Sequence, residues 1–125
     1  YIMIALRLCR RSFGSVSKGY LLGSHGWSHA HMTQLSAAQM HQQLELVENA
    51  MVKILGVKPK IFRPPYGEYN DLLLQVLAER GYIAVILWNE DTQDSFEPPP
   101  STSQIIENYK TYPGGSIVLN HEVLA

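Results

Sequence analysis

The sequence predicts an α/β fold in which parallel strands alternate with flanking helices. Three observations lead there. From about Lys18 onward short apolar runs alternate with amphipathic stretches, two of those stretches open with the same helix-capping spacing, and the polar residues capable of chemistry fall just after the apolar runs. The third is informative because the carboxyl ends of parallel strands share one face, where residues distant in sequence are expected to meet.

Taken in order, Gly19 to Gly23 is a short candidate strand, with Tyr20, Leu21 and Leu22 at its centre, and a polar loop from Ser24 to His29 follows. Ser36 with Gln39 three positions later is a capping box, each side chain satisfying an otherwise unpaired backbone N–H. Met40, Leu44, Val47, Met51 and Ile54 recur at steps of four and three and predict one buried helix face, with Gln42, Gln43, Glu45 and Glu48 lying elsewhere. Gly56 is placed to end the helix in a left-handed cap, and Pro59 prevents its resumption.

Lys60 to Phe62 reads as a brief strand, and Arg63 to Gly67 as a rigid turn, because two prolines fix the backbone and the residue before a proline avoids the helical region. Asn70 can cap the next helix, which runs through Leu72, Leu73, Val76 and Leu77 to Arg80 and stops at Gly81. Tyr82 to Trp88 is the clearest apolar strand, and Asn89 to Phe96 a polar loop. After the prolines at 98 to 100, Ser101 and Gln104 repeat the capping spacing before Ile105, Ile106 and Tyr109. The Pro113, Gly114, Gly115 turn leads to a last strand, Ser116 to Asn120.

With 125 residues, 46% of them hydrophobic, and a formal net charge of -1, the composition is that of one globular domain or a piece of one. No Lys/Arg run supports nucleic-acid or membrane-surface binding, so a neutral or polymeric substrate fits better. The single cysteine, Cys9, cannot form an internal disulfide and leaves the compartment open. The apolar stretch Ile2 to Leu8 is too short and, with Arg7, Arg10 and Arg11, too charged to be a transmembrane segment. A signal peptide carries its basic residues first, and here the arginines follow. With Tyr1 in first place, residues 1–18 are expected to be an atypical N-terminal segment without the true start, and residues 19–125 one partial domain, since no repeat or linker divides them.

His25 and His29 stand after the first expected strand, Arg63 after the second, Asp91 and Asp94 after the third, and His121 after the fourth; one site could hold all six. Two imidazoles with three residues between them can offer nitrogens to one divalent cation, and open zinc sites need such ligands plus a third. Gly26 and Ser28 rule out the glutamate of the helical H-E-x-x-H motif. Equally, the pair can be loop histidines hydrogen-bonded at the surface. His31 alternates with His29 as a solvent-facing residue does, and His41 falls on the polar side of a helix, a surface position with no role. Arg63 can be a solvated turn residue or can orient a carboxylate through a bidentate pair. Asp91 and Asp94 can make local turns, and His121 can be a satisfied buried histidine.

Five ordered stretches carry a resemblance: SHGWSHAHMTQLS at 24–36, ILGVKPKIFRPPYGEYND at 54–71, LAERGY at 77–82, WNEDTQD at 88–94 and GSIVLNHE at 115–122. From about Gly19 to the end the chain resembles the polysaccharide deacetylase family, the NodB homology domain, and most closely its fungal chitin deacetylases. The resemblance implies a partial (β/α) barrel and a reaction in which a divalent cation, usually zinc, polarises an N-acetyl carbonyl of chitin or another N-acetylated glycan and activates water. It also implies an extracellular or cell-wall location. Under it His25 and His29 correspond to the metal ligands, Ser28 to a residue that steadies their loop, and Arg63 to the arginine that holds a catalytic aspartate. The backbone N–H of Tyr66 corresponds to an oxyanion donor and His121 to the general acid, with Asp91 as the carboxylate that tunes it, since a nearby negative charge raises an imidazole pKa.

Three departures accompany the resemblance. The family's aspartate pair, which provides the base and the third metal ligand, should precede His25 by several tens of residues, and Tyr1 to Ser17 contain no Asp or Glu. Ser95 stands where the family has tryptophan, with Phe96 as the neighbouring apolar residue, and Gly26 where it has Ser or Thr. About four strand–helix units cannot close a barrel, so the chain by itself is expected to be marginally stable or aggregation-prone. Without the pair, the two further readings are a glycan-binding fragment that has lost the chemistry and an incomplete gene product.

Overall fold

A computed structural model describes Gly19 and residues 21–121. The expected atypical segment at 1–18, Cys9 within it, and Tyr20 lie outside the described residues. The chain gathers into two compact units, one ending at Ile86 and the other beginning at Leu87.

In the first unit, a 3-10 turn at Met32–Gln34 precedes helix α1 (Ala37–Leu55). Both halves of the expected capping box form at its start, where the Ser36 side chain accepts from the Gln39 N–H and the Gln39 side chain accepts from the Ser36 N–H. Gly56, at φ 71°, closes it as expected. Strand β1 (Ile61–Phe62), a 3-10 turn at Pro65–Gly67, helix α2 (Asp71–Glu79) and strand β2 (Ala84–Val85) follow. Asn70 caps α2 by accepting from the Leu73 N–H at 2.9 Å.

β1 and β2 pair in parallel, Ile61 opposite Ala84 and Phe62 opposite Val85. Of the strand expected at Gly19 to Gly23, residues 21–23 join no ladder, and the parallel pairing is a single bridge between Ser24 and Phe62, made by the Ser24 N–H to Ile61 and the Arg63 N–H to Ser24, both at 2.9 Å. Gly23 permits this close approach. A Cβ there would lie 2.9 Å from Ile61 Cγ1 and 3.1 Å from the Ile61 carbonyl oxygen.

The core of this unit comprises Met32, Met40, Leu44, Phe62, Leu73, Val76, Leu77 and Tyr82. Each of its larger aliphatic or aromatic side chains contributes roughly 1.5–3 kcal/mol by leaving water. On α1 the buried face is narrower than its periodicity predicts: Met40 and Leu44 are fully enclosed, while Val47, Met51 and Ile54 are half-buried. Glu48, expected on the polar side, is buried. The reason is Arg80, whose guanidinium meets both Glu48 oxygens at 2.8 Å, with Lys58 Nζ at 3.1 Å. His41 is drawn into the same network and is not a free surface residue. Its Nδ1 accepts from Arg80 at 3.2 Å, and Nε2 lies 3.3 Å from Glu79.

In the second unit, β3 (Glu90–Asp91) pairs in parallel with β4 (Val118–Leu119), with helix α3 (Thr102–Thr111) between them in sequence. Its capping box, Ser101 with Gln104, forms as expected. The strand at Glu90–Asp91 corrects the reading of Asn89 to Phe96 as loop throughout. Backbone pairing explains it, since the Asn89 N–H reaches the Ile117 carbonyl at 3.0 Å and the Thr92 N–H the Leu119 carbonyl at 3.1 Å. The strands expected over Tyr82–Trp88 and Ser116–Asn120 contract to Ala84–Val85 and Val118–Leu119.

Candidate active site

The first unit carries a histidine loop on the Ser24 bridge. His25 directly follows the bridge, and its Nδ1 lies 2.7 Å from the carbonyl oxygen of Arg63. A carbonyl only accepts, so Nδ1 carries a proton, and in the neutral ring the lone pair is then on Nε2, the arrangement typical of a metal-binding imidazole. Gly26 adopts φ 75°, a left-handed conformation that a side chain disfavours and that accounts for glycine at this position. His29 also lies at positive φ, 54°, and its ring meets that of His25 edge to face at 4.9 Å between centroids.

The loop is held from α1 by a residue that the sequence reading passed over. Gln43 Oε1 accepts from the Trp27 N–H at 3.1 Å, the Ser28 N–H at 2.9 Å and the Ser28 hydroxyl at 3.1 Å. Three donors on one amide oxygen fix the backbone between the two histidines. Gln43 lies one residue before buried Leu44, on a flank of the helix that periodicity marks simply as polar.

Arg63 contributes main-chain groups to this loop, its N–H on Ser24 and its carbonyl on His25. Tyr66, in the turn behind it, has φ 59° and ψ 6°. Its ring lies parallel to that of His31 at 3.9 Å and 8°, and edge to face with His29 at 4.6 Å. His31 is exposed as expected, but its Nδ1 donates to Glu68 at 2.9 Å, and so it is not merely solvated.

The metal that the resemblance implies finds part of its donor set here. The Nδ1-bonded His25 beside His29 suits an imidazole-binding cation, while no group of three His, Cys, Asp or Glu gathers among the described residues.

In the second unit the polar contacts gather at His121, just after β4. The Asp94 carboxylate accepts from the His121 ring Nδ1–H at 2.7 Å, the His121 backbone N–H at 2.6 Å and the Asn120 amide at 3.0 Å. Burial works to raise the Asp94 carboxyl, but the hydrogen bonds and charge of His121 outweigh it and hold the group below the usual carboxylate range. Asp91, expected in this role, does not take it. Its carboxylate accepts from the Gln93 N–H at 2.7 Å, making a local turn, and Gln93 at φ 59° turns the chain so that Asp94 meets the end of β4.

Residues 15–85 match the family model described as polysaccharide deacetylase. Over 111 residues the chain is 37% identical to a chitin deacetylase of Pestalotiopsis sp., covering 87% of this chain and 37% of that one. It is 27% identical to a peptidoglycan-N-acetylglucosamine deacetylase of Bacillus cereus, over 84% of this chain and 38% of the other. A family 4 carbohydrate esterase from Streptomyces lividans, solved with acetate, superposes with a TM-score of 0.79 at 35% identity, over 97% of this chain and 62% of that one. The chain therefore spans under two fifths of either curated relative.

Proposed function

The chain belongs to the polysaccharide deacetylase family, and on that footing we propose that its residues serve metal-dependent hydrolysis of N-acetyl groups on the glucosamine units of chitin or a related cell-wall polysaccharide. The observation that carries this reading is the His25–His29 pair, with the Nδ1 of His25 bonded to the Arg63 carbonyl, which leaves Nε2 as the ligating nitrogen of the neutral ring. Chitin is in the name of the Pestalotiopsis relative and peptidoglycan N-acetylglucosamine in that of the Bacillus cereus one; an N-acetyl amide on glucosamine is common to both. Such polymers lie outside the cytoplasm, so an extracellular or cell-wall location is part of the proposal.

In this reading His25 and His29 hold the divalent cation, zinc being the expected one. Bound there, it supplies a Lewis acid for the acetyl carbonyl and lowers the pKa of water. The Tyr66 N–H, in the Pro65–Gly67 turn, is the group that this reading assigns as donor to the developing oxyanion. His121, oriented by Asp94 through Nδ1, uses Nε2 to protonate the departing amine.

A second reading, a glycan-binding module without turnover, is favoured by one observation: two imidazoles, but no third ligand, gather among the described residues. Acetate release from chitin oligomers separates the two. The deacetylase reading expects release that a chelator abolishes and zinc restores. Saccharide binding with no acetate at any metal loading would establish the binding module instead.

A further inference from the structure

We infer that His31 and Glu68 form a clamp that fixes Tyr66 in its left-handed backbone conformation, making both of them positioning residues for the Tyr66 N–H. The inference deepens the deacetylase reading and rests on it for the role of that N–H alone.

Tyr66 sits at φ 59°, a region that bulky side chains rarely occupy and that persists only where surrounding contacts enforce it. Core packing does not supply that enforcement, because Tyr66 is 52% exposed. What holds its ring is local. The His31 ring lies flat against it at 3.9 Å, and the His29 ring meets it edge-on. His31 is itself anchored, its Nδ1–H donating to Glu68 Oε2 at 2.9 Å, and the Thr33 hydroxyl approaches the same oxygen at 3.4 Å.

Glu68 lies two residues beyond Tyr66 at the end of the same turn, its N–H on the Pro65 carbonyl at 3.3 Å and the Gly67 N–H on that of Pro64 at 3.1 Å. The contacts thus close a ring: Tyr66 side chain, His31 imidazole, Glu68 carboxylate, and back along the chain to Tyr66. Rotating the Tyr66 peptide out of the left-handed region would swing its side chain off the His31 face and break that ring. The peptide N–H direction is thereby coupled to two exposed side chains that need not touch substrate.

The test uses the full chain labelled with 15N-tyrosine, free of metal, with acetate as the probe. The Tyr66 N–H to Hα coupling reports φ, its ring protons report stacking, and its amide shift on titration reports the anion. His31→Ala is expected to average the coupling, remove the ring-current shift and weaken acetate binding about tenfold, the loss of one well-aimed hydrogen bond to a charge. His31→Phe, which keeps a stacking ring, is expected to recover the coupling and most of the affinity, and Glu68→Gln to fall between the two. Coupling, ring shifts and acetate affinity in His31→Ala equal to those of the unaltered chain would overturn the clamp. If acetate moves no Tyr66 signal in the unaltered chain while His31→Ala still averages the coupling, the clamp stands and the deacetylase reading of this N–H falls.

Discussion

Asp94 grips His121 at two points, the carboxylate receiving the ring N–H at 2.7 Å and the backbone N–H at 2.6 Å. One residue thereby fixes both the direction of the imidazole and its tautomer. Asp94→Asn exchanges an acceptor for a group that can present a donor to Nδ1, and acetate release should fall about a hundredfold. Asp91→Asn, which touches a local turn, should stay within about twofold. Measuring both variants on chitin oligomers decides between the carboxylates, and a larger loss at Asp91 would reverse the assignment.

Gln43 should matter for metal binding although it is no ligand. Replacing it by alanine strands three donors of the histidine loop, and zinc affinity should drop about tenfold, as losses around metal-binding histidines do. Gln43→Glu, which keeps an acceptor, should bind zinc more tightly than Gln43→Ala. Calorimetric titration of both, with helix content followed by circular dichroism, separates a loosened loop from a damaged α1.

Glu48 ties α1 to Arg80 and Lys58. Burial works to raise its carboxyl, but the hydrogen bonds and charges of these two partners prevail and lower it. A folded-state pKa below the unfolded one means that the stabilisation is complete above the usual carboxylate range and is lost as pH falls through the lowered value. Glu48→Gln should therefore cost about 3 kcal/mol near neutrality, and the gap between the two proteins should narrow as pH falls below the usual carboxylate range. Thermal melting across that range checks it, and a gap independent of pH would contradict it.

Gly23→Ala should destabilise by about 1–3 kcal/mol, because the added methyl meets the Ile61 side chain and the Ile61 carbonyl oxygen, and backbone cannot step aside as a side-chain tip can. A lowered Tm is the expected result, with a change in the His25 ring signals, since His25 follows the displaced bridge. An unchanged Tm would mean that Ile61 yields freely.

Local signals in the sequence translated directly into structure. Ser36 with Gln39, Ser101 with Gln104, Asn70 and Gly56 specify helix ends through contacts within a few residues, and all four act as read. Features that depend on a distant partner did not. Glu90 and Asp91 are polar and read as loop, yet they form β3 because Ile117 and Leu119 offer carbonyls from nearly thirty residues away. Glu48 and His41 looked like solvent residues until α2 brought Arg80 alongside.

The same division runs through the site. That His25, His29 and His121 are candidates is legible from their positions after apolar runs. The choice between Asp91 and Asp94 is not, because it depends on the positive φ of Gln93, which spacing cannot reveal. Gln43 and the His31–Glu68 pair stayed hidden for a related reason: their partners lie 15 and 37 residues away, and nothing local marks them.

The central claim is that His25 and His29 together hold a divalent cation, and zinc titration by calorimetry tests it without requiring turnover. One zinc per chain is expected, with affinity at least tenfold weaker in either His25→Ala or His29→Ala and unchanged in His41→Ala, whose ring sits in the Glu79–Arg80 network. Zinc bound equally well by the double variant His25→Ala/His29→Ala would contradict it.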